Sequence, residues 1–181
     1  RTYVNRYGVK PGERCVLVTN NDGAYQAALD LRDAGIEIAA AIDLRAEATG
    51  PFTEQARAAG IRILANHGIA AVEGAKRVRA IKAQPLADDG ESLTGSPETI
   101  ACDFVASSGG WNPTVHLFSQ SRGKLRFDEE TAAFVPDRSV QRARSAGCCQ
   151  GTWGLKGCLT DGLAAGAEAA KAAGFTDAKA G

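Results

Sequence analysis

The chain has 181 residues, 44% hydrophobic and 23% charged, and its 21 basic residues are balanced by 21 acidic ones. A net charge of zero provides no basic field to gather phosphate backbones or anionic lipid, which argues against nucleic-acid and membrane partners. The length suits one good core, alone or with a fragment of another domain, and no apolar run approaches the ~20 residues needed to span a bilayer.

Residues 1–7 read as the end of a helix or an extended lead-in, stopped by Gly8, and Pro11-Gly12 turns the chain into its first strand at 13–19. A tight turn at 20–23 leads into a helix over 24–33, where Ala24, Ala28 and Leu31 share one face. Gly35 ends that helix, and a second apolar strand at 36–42 closes on Asp43, roughly 20 residues past the turn. Strand, turn, helix and strand ending in an acid form a βαβ unit of Rossmann type. A second helix follows, with Pro51 in its first turn and Phe52, Ala56 and Ala59 on one face; Gly60 ends it, and 61–64 is a third strand. The β-α-β-α-β order predicts a parallel sheet with right-handed crossovers.

The turn at 20–23 departs from the dinucleotide fingerprint. Thr19, Asn21 and Ala24 stand where G-x-G-x-x-G has its glycines, and only alanine is an accepted substitute. Asn21 tolerates positive φ, but Asp22 and Gly23 put a carboxylate at the helix N-terminus, where a pyrophosphate would collect free N–H groups. Two like charges about 5 Å apart at an effective dielectric near 20 repel by roughly 3 kcal/mol. As the N-cap of its own helix, Asp22 would instead stabilise it by about 1 kcal/mol. The turn is therefore expected to be well capped and closed to a pyrophosphate.

Beyond 66 the pattern changes to strands at 67–72 and 76–82, a polar loop at 88–97, and returns at 98–100 and 102–106: an antiparallel meander inserted before a last central strand. Residues 117–139 are mostly polar, with one short exposed strand at 123–128. A glycine-bearing turn at 145–151 precedes a helix over 155–173 that carries Gly157, Gly162 and Gly166. Such a helix has poor intrinsic propensity and is expected to pack against a partner. Cys15 and Cys102 read as small core residues within strands. Cys148, Cys149 and Cys158 lack metal-ligand spacing, there is no C-x-x-C, and five unpaired cysteines fit a reducing, cytoplasmic setting. With no methionine, the sequence reads as an excerpt.

Three features in this order carry a resemblance: the β-α-β-α-β start, the meander ending in Ser107-Ser108-Gly109-Gly110-Trp111-Asn112-Pro113, and the return through Ser145-Ala146-Gly147. They resemble the NAD-binding half of two-dinucleotide-domain flavoprotein reductases, in which a smaller Rossmann domain is inserted into a larger one. More narrowly, Tyr3-Val4-Asn5-Arg6-Tyr7, Thr19-Asn20-Asn21-Asp22 and Gly109-Gly110-Trp111-Asn112-Pro113-Thr114-Val115-His116-Leu117 resemble the alpha subunits of heterotetrameric sarcosine oxidases. The resemblance implies an α/β fold with a Rossmann-like parallel sheet and an antiparallel meander. It divides the chain into a lead-in at 1–12, an inserted domain at 13–114 and a return segment at 115–181. It also implies a piece of a complex that converts sarcosine to glycine, a one-carbon unit and hydrogen peroxide. NAD would be associated with the full subunit, with FAD, FMN and tetrahydrofolate elsewhere in the complex. The partners would be the remainder of the alpha subunit and the other subunits, in the cytoplasm.

Two departures from that pattern stand out. The broader reductases have Gly-Asp at the return turn, whereas here Cys148 follows Gly147, and the first glycine loop is degraded. The resemblance then places any NAD near Gly109, Gly110, Gly147, Cys148 and Thr152 rather than on the 20–23 loop. From the residues themselves, Asp43 either meets a ribose or simply ends a strand, and Arg45 either favours a 2′-phosphate or lies solvated. Trp111 and Trp153 either stack on an adenine or, as favoured here, anchor a core or an interface. His67 and His116 have no nucleophile in a triad-like context, so no catalytic residue is assigned. Two other readings stay open: a free-standing NAD(P)-binding oxidoreductase domain, and a nucleotide-free interaction module.

Overall fold

In the computed structural model, which describes residues 1–175, the chain forms two compact units, Arg1–Gly110 and a second that begins at Trp111. After helix α1 (Thr2–Tyr7), the first unit alternates β1 (Arg14–Thr19), α2 (Gly23–Asp33), β2 (Glu37–Asp43), α3 (Pro51–Ala58) and β3 (Ile63–Ala65). Then come β4 (His67–Glu73), β5 (Ala80–Pro85), β6 (Glu98–Ala101) and β7 (Phe104–Ser108). The four parallel strands are ordered β3-β2-β1-β7, and β4-β5-β6 form a separate antiparallel sheet. This is the expected α/β architecture.

Alternation along the central strands builds the layers. Leu17 and Ala41 point to one face and pack with Ala24, Tyr25 and Ala28 of α2, Ala56 of α3, and Ile61. Their sequence neighbours Val16, Ala40 and Ile42 point to the other face and meet Ile81, Ala83, Ile100 and Cys102 from the meander. A strand flanked on both faces must be apolar throughout, which is why the first two strands read as continuous hydrophobic runs. Burial pushes the Cys15 thiol up to about 11, in keeping with a core role.

Several expected boundaries shift. The third strand begins at Ile63, because the Ile61 N–H still bonds Ala56 O (3.0 Å) and finishes α3. β5 begins at Ala80 rather than 76: Gly74, at φ +128°, opens a loop that closes when the Arg79 N–H bonds Glu73 O at 2.8 Å. Cys102 lies between β6 and β7 rather than within a strand.

The second unit contains α4 (His116–Gln120), a hairpin of β8 (Lys124–Asp128) and β9 (Ala133–Arg138), a 3-10 turn (Gly147–Gln150) and α5 (Leu155–Ala172). The second hairpin strand was not expected from sequence. Its tip has no glycine and is held instead by Asp128, which accepts from the Thr131 N–H (3.2 Å) and hydroxyl (2.7 Å). Among the described residues, Ala133 and Val135 are this unit's buried hydrophobic side chains, and α5 buries none. Trp111 and Trp153 are exposed, so neither anchors a core. No described helix is long and apolar enough to cross a membrane.

Candidate functional site

The chain leaves β1 for β2 and β3 on one side and returns through the meander to β7 on the other, so the topological switch point lies between β1 and β7, where dinucleotide folds bind ligands. A crevice of about 290 Å³ opens there, lined by Val18, Thr19, Asn20, Leu44, Ser107, Ser108 and Gly109. That is at the small end of ligand-sized pockets, and its lining carries no charge.

The turn beside it is fastened by its own side chains. Thr19 stands where the first fingerprint glycine would be, is 1% exposed, and places its hydroxyl 3.1 Å from the carbonyl oxygens of both Asn21 and Ser108. The Asn21 amide donates to Ser108 O (3.2 Å) and to the Ser108 hydroxyl (3.1 Å), tying the turn to the end of β7. A glycine would offer backbone N–H groups here; Thr19 and Asn21 fill the space with side chains.

Asp22 does not cap its own helix. It sits in helical conformation at the start of α2, and its carboxylate reaches across to α3. There it accepts from the Phe52 N–H (3.2 Å), the Thr53 N–H (2.7 Å) and the Thr53 hydroxyl (2.7 Å). The reason lies in α3: its N-cap residue is Gly50, which has no side chain, and Pro51 follows. A helix without a capping side chain leaves N–H groups to be satisfied from elsewhere. Gly50 has φ +135°, and a Cβ built there would strike the Asp22 carboxylate, so the two residues require each other. Burial acts to raise the Asp22 pKa, but the Thr53 and Phe52 hydrogen bonds outweigh it and hold the carboxyl below the usual aspartate range. Asp22 is thus anionic and stationary at the mouth of α2.

Asp43, where a ribose-binding acid would stand, is completely buried. One oxygen accepts from the Arg45 N–H and Nε (both 3.0 Å), the other from the Tyr25 hydroxyl (2.8 Å) and Arg45 Nη2 (2.7 Å). Arg45 is therefore paired, not merely solvated, and its Nη1 also donates to Thr49 O at 2.9 Å. The bond to Asp43 raises the Arg45 pKa, and burial with the Asp43 bond raises that of Tyr25.

In the second unit, Gly147 (φ +67°) donates its N–H to Asp161 of α5 at 2.7 Å. Thr152 donates its N–H to Gly147 O at 3.2 Å and lies with its hydroxyl 3.4 Å from the same Asp161 oxygen. Arg144 clasps Asp161 (2.9 Å) and Glu168. The Gly147 N–H, ahead of Arg144 and Thr152, keeps the Asp161 carboxyl below its usual range. An acid from α5 thus serves the turn where the reductase pattern has one directly after the glycine. Cys148 is exposed, with its sulfur 3.7 Å from that of Cys158.

The structure joins Asn21 to the strand end that leads into Gly109 and Gly110, pairs Asp43 with Arg45, and links Gly147 with Thr152 through Asp161. Sequence reasoning missed Thr53, Gly50, Tyr25, Asp161 and Arg144. Only Gly50-Pro51 carried a signal, that of a helix start without its own capping side chain. Among the described residues, no cluster of three or more His, Cys, Asp or Glu could hold a metal.

No protein-family profile matches the chain. It is 38% identical over 177 residues to the sarcosine oxidase subunit alpha of Corynebacterium sp. (strain P-1), covering 97% of the chain and 18% of that subunit. It is 35% identical over 164 residues to the same subunit of Rhizobium meliloti (strain 1021), covering 91% of the chain and 15% of the subunit. The chain therefore spans less than a fifth of the relatives it matches. The thioredoxin reductase of T. acidophilum shares the fold, with a TM-score of 0.60 and 19% identity over 91% of this chain and 52% of that one.

Proposed function

We propose that this chain, a relative of sarcosine oxidase alpha subunits, is a non-catalytic dinucleotide-fold segment of an oxidoreductase complex that demethylates sarcosine to glycine, releasing hydrogen peroxide and a one-carbon unit. The observation that carries the reading is the sequence match along 97% of the chain. The geometry gives the segment an accessory role. The 20–23 loop does not fit a diphosphate, because Asp22 is held anionic at the start of α2 and Thr19 and Asn21 occupy the glycine positions. Asp43 has its four short acceptor contacts filled by Tyr25 and Arg45, which leaves it poorly disposed to a ribose. We therefore assign NAD to the full subunit and not to this loop.

A row of exposed leucines on α5, Leu155, Leu159 and Leu163, supports a place within a larger assembly. Spaced by four, they form one apolar face that this chain does not bury. We propose that the remainder of the alpha subunit covers it.

Calorimetric titration with NAD tests the accessory role. The chain by itself should give no binding heat; micromolar binding abolished by substitutions at Asn21 or Asp43 would overturn the reading in favour of a free-standing NAD(P)-binding domain. In the full complex, sarcosine-dependent peroxide formation should survive Asn21→Ala, since the loop contacts no reactant.

A further inference from the structure

Cys148 and Cys158 lie ten positions apart, yet the folding of the 3-10 turn against the first turns of α5 brings their sulfurs to 3.7 Å. Cys148 is exposed. The Cys158 S–H is also within 3.2 Å of Thr152 O, and either sulfur can donate in the contact between the two thiols. Cys149, although adjacent in sequence, is committed elsewhere: its S–H donates to Ala146 O at 3.0 Å. The backbone permits closer approach, because Gly147 stacks directly on Cys158, with a Cβ position 3.6 Å from the Cys158 Cβ and sulfur. Rotation about the two Cα–Cβ bonds is the motion that would bring the sulfurs together.

We infer that Cys148 and Cys158 form a redox-active dithiol that closes to a disulfide, with a small hydroperoxide as the oxidant. The Cys148 thiolate attacks the terminal oxygen of the hydroperoxide, and the O–O bond breaks. The alkoxide or hydroxide that leaves takes up the proton shed by Cys148, and Cys148 becomes a sulfenic acid. The Cys158 sulfur then attacks the Cys148 sulfur; the S–O bond breaks, and the hydroxide leaves as water with the Cys158 proton. In sum, two thiols lose two electrons and one hydroperoxide is reduced to an alcohol (or water) plus water. The exposure of Cys148 makes it the sulfur that a hydroperoxide in solution reaches first. Its thiol beside Cys158, together with burial, raises the Cys158 pKa, which suits the resolving partner. The product would pin the turn carrying Gly147 to α5. The assignment is independent of the function proposed above.

The test uses the full chain treated with equimolar hydrogen peroxide, quenched with a maleimide and digested with trypsin. Lys156 lies between the two cysteines, so peptides 145–156 and 157–171 should appear joined, carrying one maleimide on Cys149 and otherwise two hydrogens lighter than their sum, and part on reduction. Cys149→Ser should leave the link intact, and Cys158→Ser should accumulate a dimedone adduct on Cys148. A link between Cys148 and Cys149, oxidation of Cys148 to sulfinic acid without any link in the unsubstituted chain, or loss of the link in Cys149→Ser would each overturn the inference. The first readout needs no substitution, so misfolding of a variant cannot obscure it.

Discussion

Asp22 in the first unit and Asp161 in the second each take N–H groups that a turn or a helix start would otherwise present outward. Asp22 reaches from the turn after β1 to the bare start of α3, amid packed helices and near the pair formed by the buried Asp43 and the partly exposed Arg45. Asp161 reaches from α5 back to Gly147, in a unit whose buried residues, among those described, are Pro113, Ala133, Val135, Pro136 and Gly147, and it is shared there with the exposed Arg144. A charge in a packed setting is locked by its neighbours, whereas one at the surface is held by a Coulomb term that water and salt weaken. The first turn is fastened by hydrogen bonds to Asp22, the second by a hydrogen bond to Asp161 together with an ion pair to the exposed Arg144.

The largest way to break this contrast is Arg45→Ala. It leaves the Asp43 carboxylate, wholly buried, with the Tyr25 hydroxyl and one backbone N–H. The expected loss is about 3 kcal/mol in urea unfolding, the lower end for stranding a buried charge, since Arg45 itself is partly exposed. A loss below about 1 kcal/mol would mean that the pair fastens nothing.

A smaller effect is expected from Asp22→Ala, about 1–2 kcal/mol for a lost helix cap. Because folding lowers the Asp22 pKa, its contribution is complete above the unfolded value near 3.9 and disappears as pH falls through the folded value. The stabilities of the two proteins should therefore differ at pH 7 and converge below about pH 4. Parallel pH curves would remove the charged cap from the account.

The smallest effect sharpens the comparison through salt. Raising NaCl to 1 M shortens the Debye length to about 3 Å and should speed amide exchange at Gly147 relative to Thr53 by a few-fold. Both N–H groups donate to an aspartate, so equal protection at all salt concentrations would show that the two turns are fastened alike.

The continuous apolar runs of β1 and β2 and the apolar face of α2 were legible from residues 13–43, because one strand pair and one helix are local in sequence and their burial is written in residue type. The same holds for Gly8 and Gly35, whose positive φ ends helices. That the 20–23 turn lacks the fingerprint glycines was legible too, since Thr19, Asn21 and Ala24 stand in their places. What the turn's side chains do instead was not. The partners of Asp22 lie 30 and 31 residues away, and those of Thr19 and Asn21 on β7 lie 89 and 87 away. A carboxylate's charge is visible in the sequence, but the donor it selects depends on which N–H groups the packing leaves unpaired nearby. The dithiol follows the same logic: Cys148, Cys149 and Cys158 are evident as residue types, and only the turn against α5 separates the pair that meets from the neighbour that does not. Residue type set the layers, because burial preference is a property of each side chain. Tertiary structure decided the partners, because a hydrogen bond or sulfur contact needs two groups within a few ångströms and chain distance does not encode that.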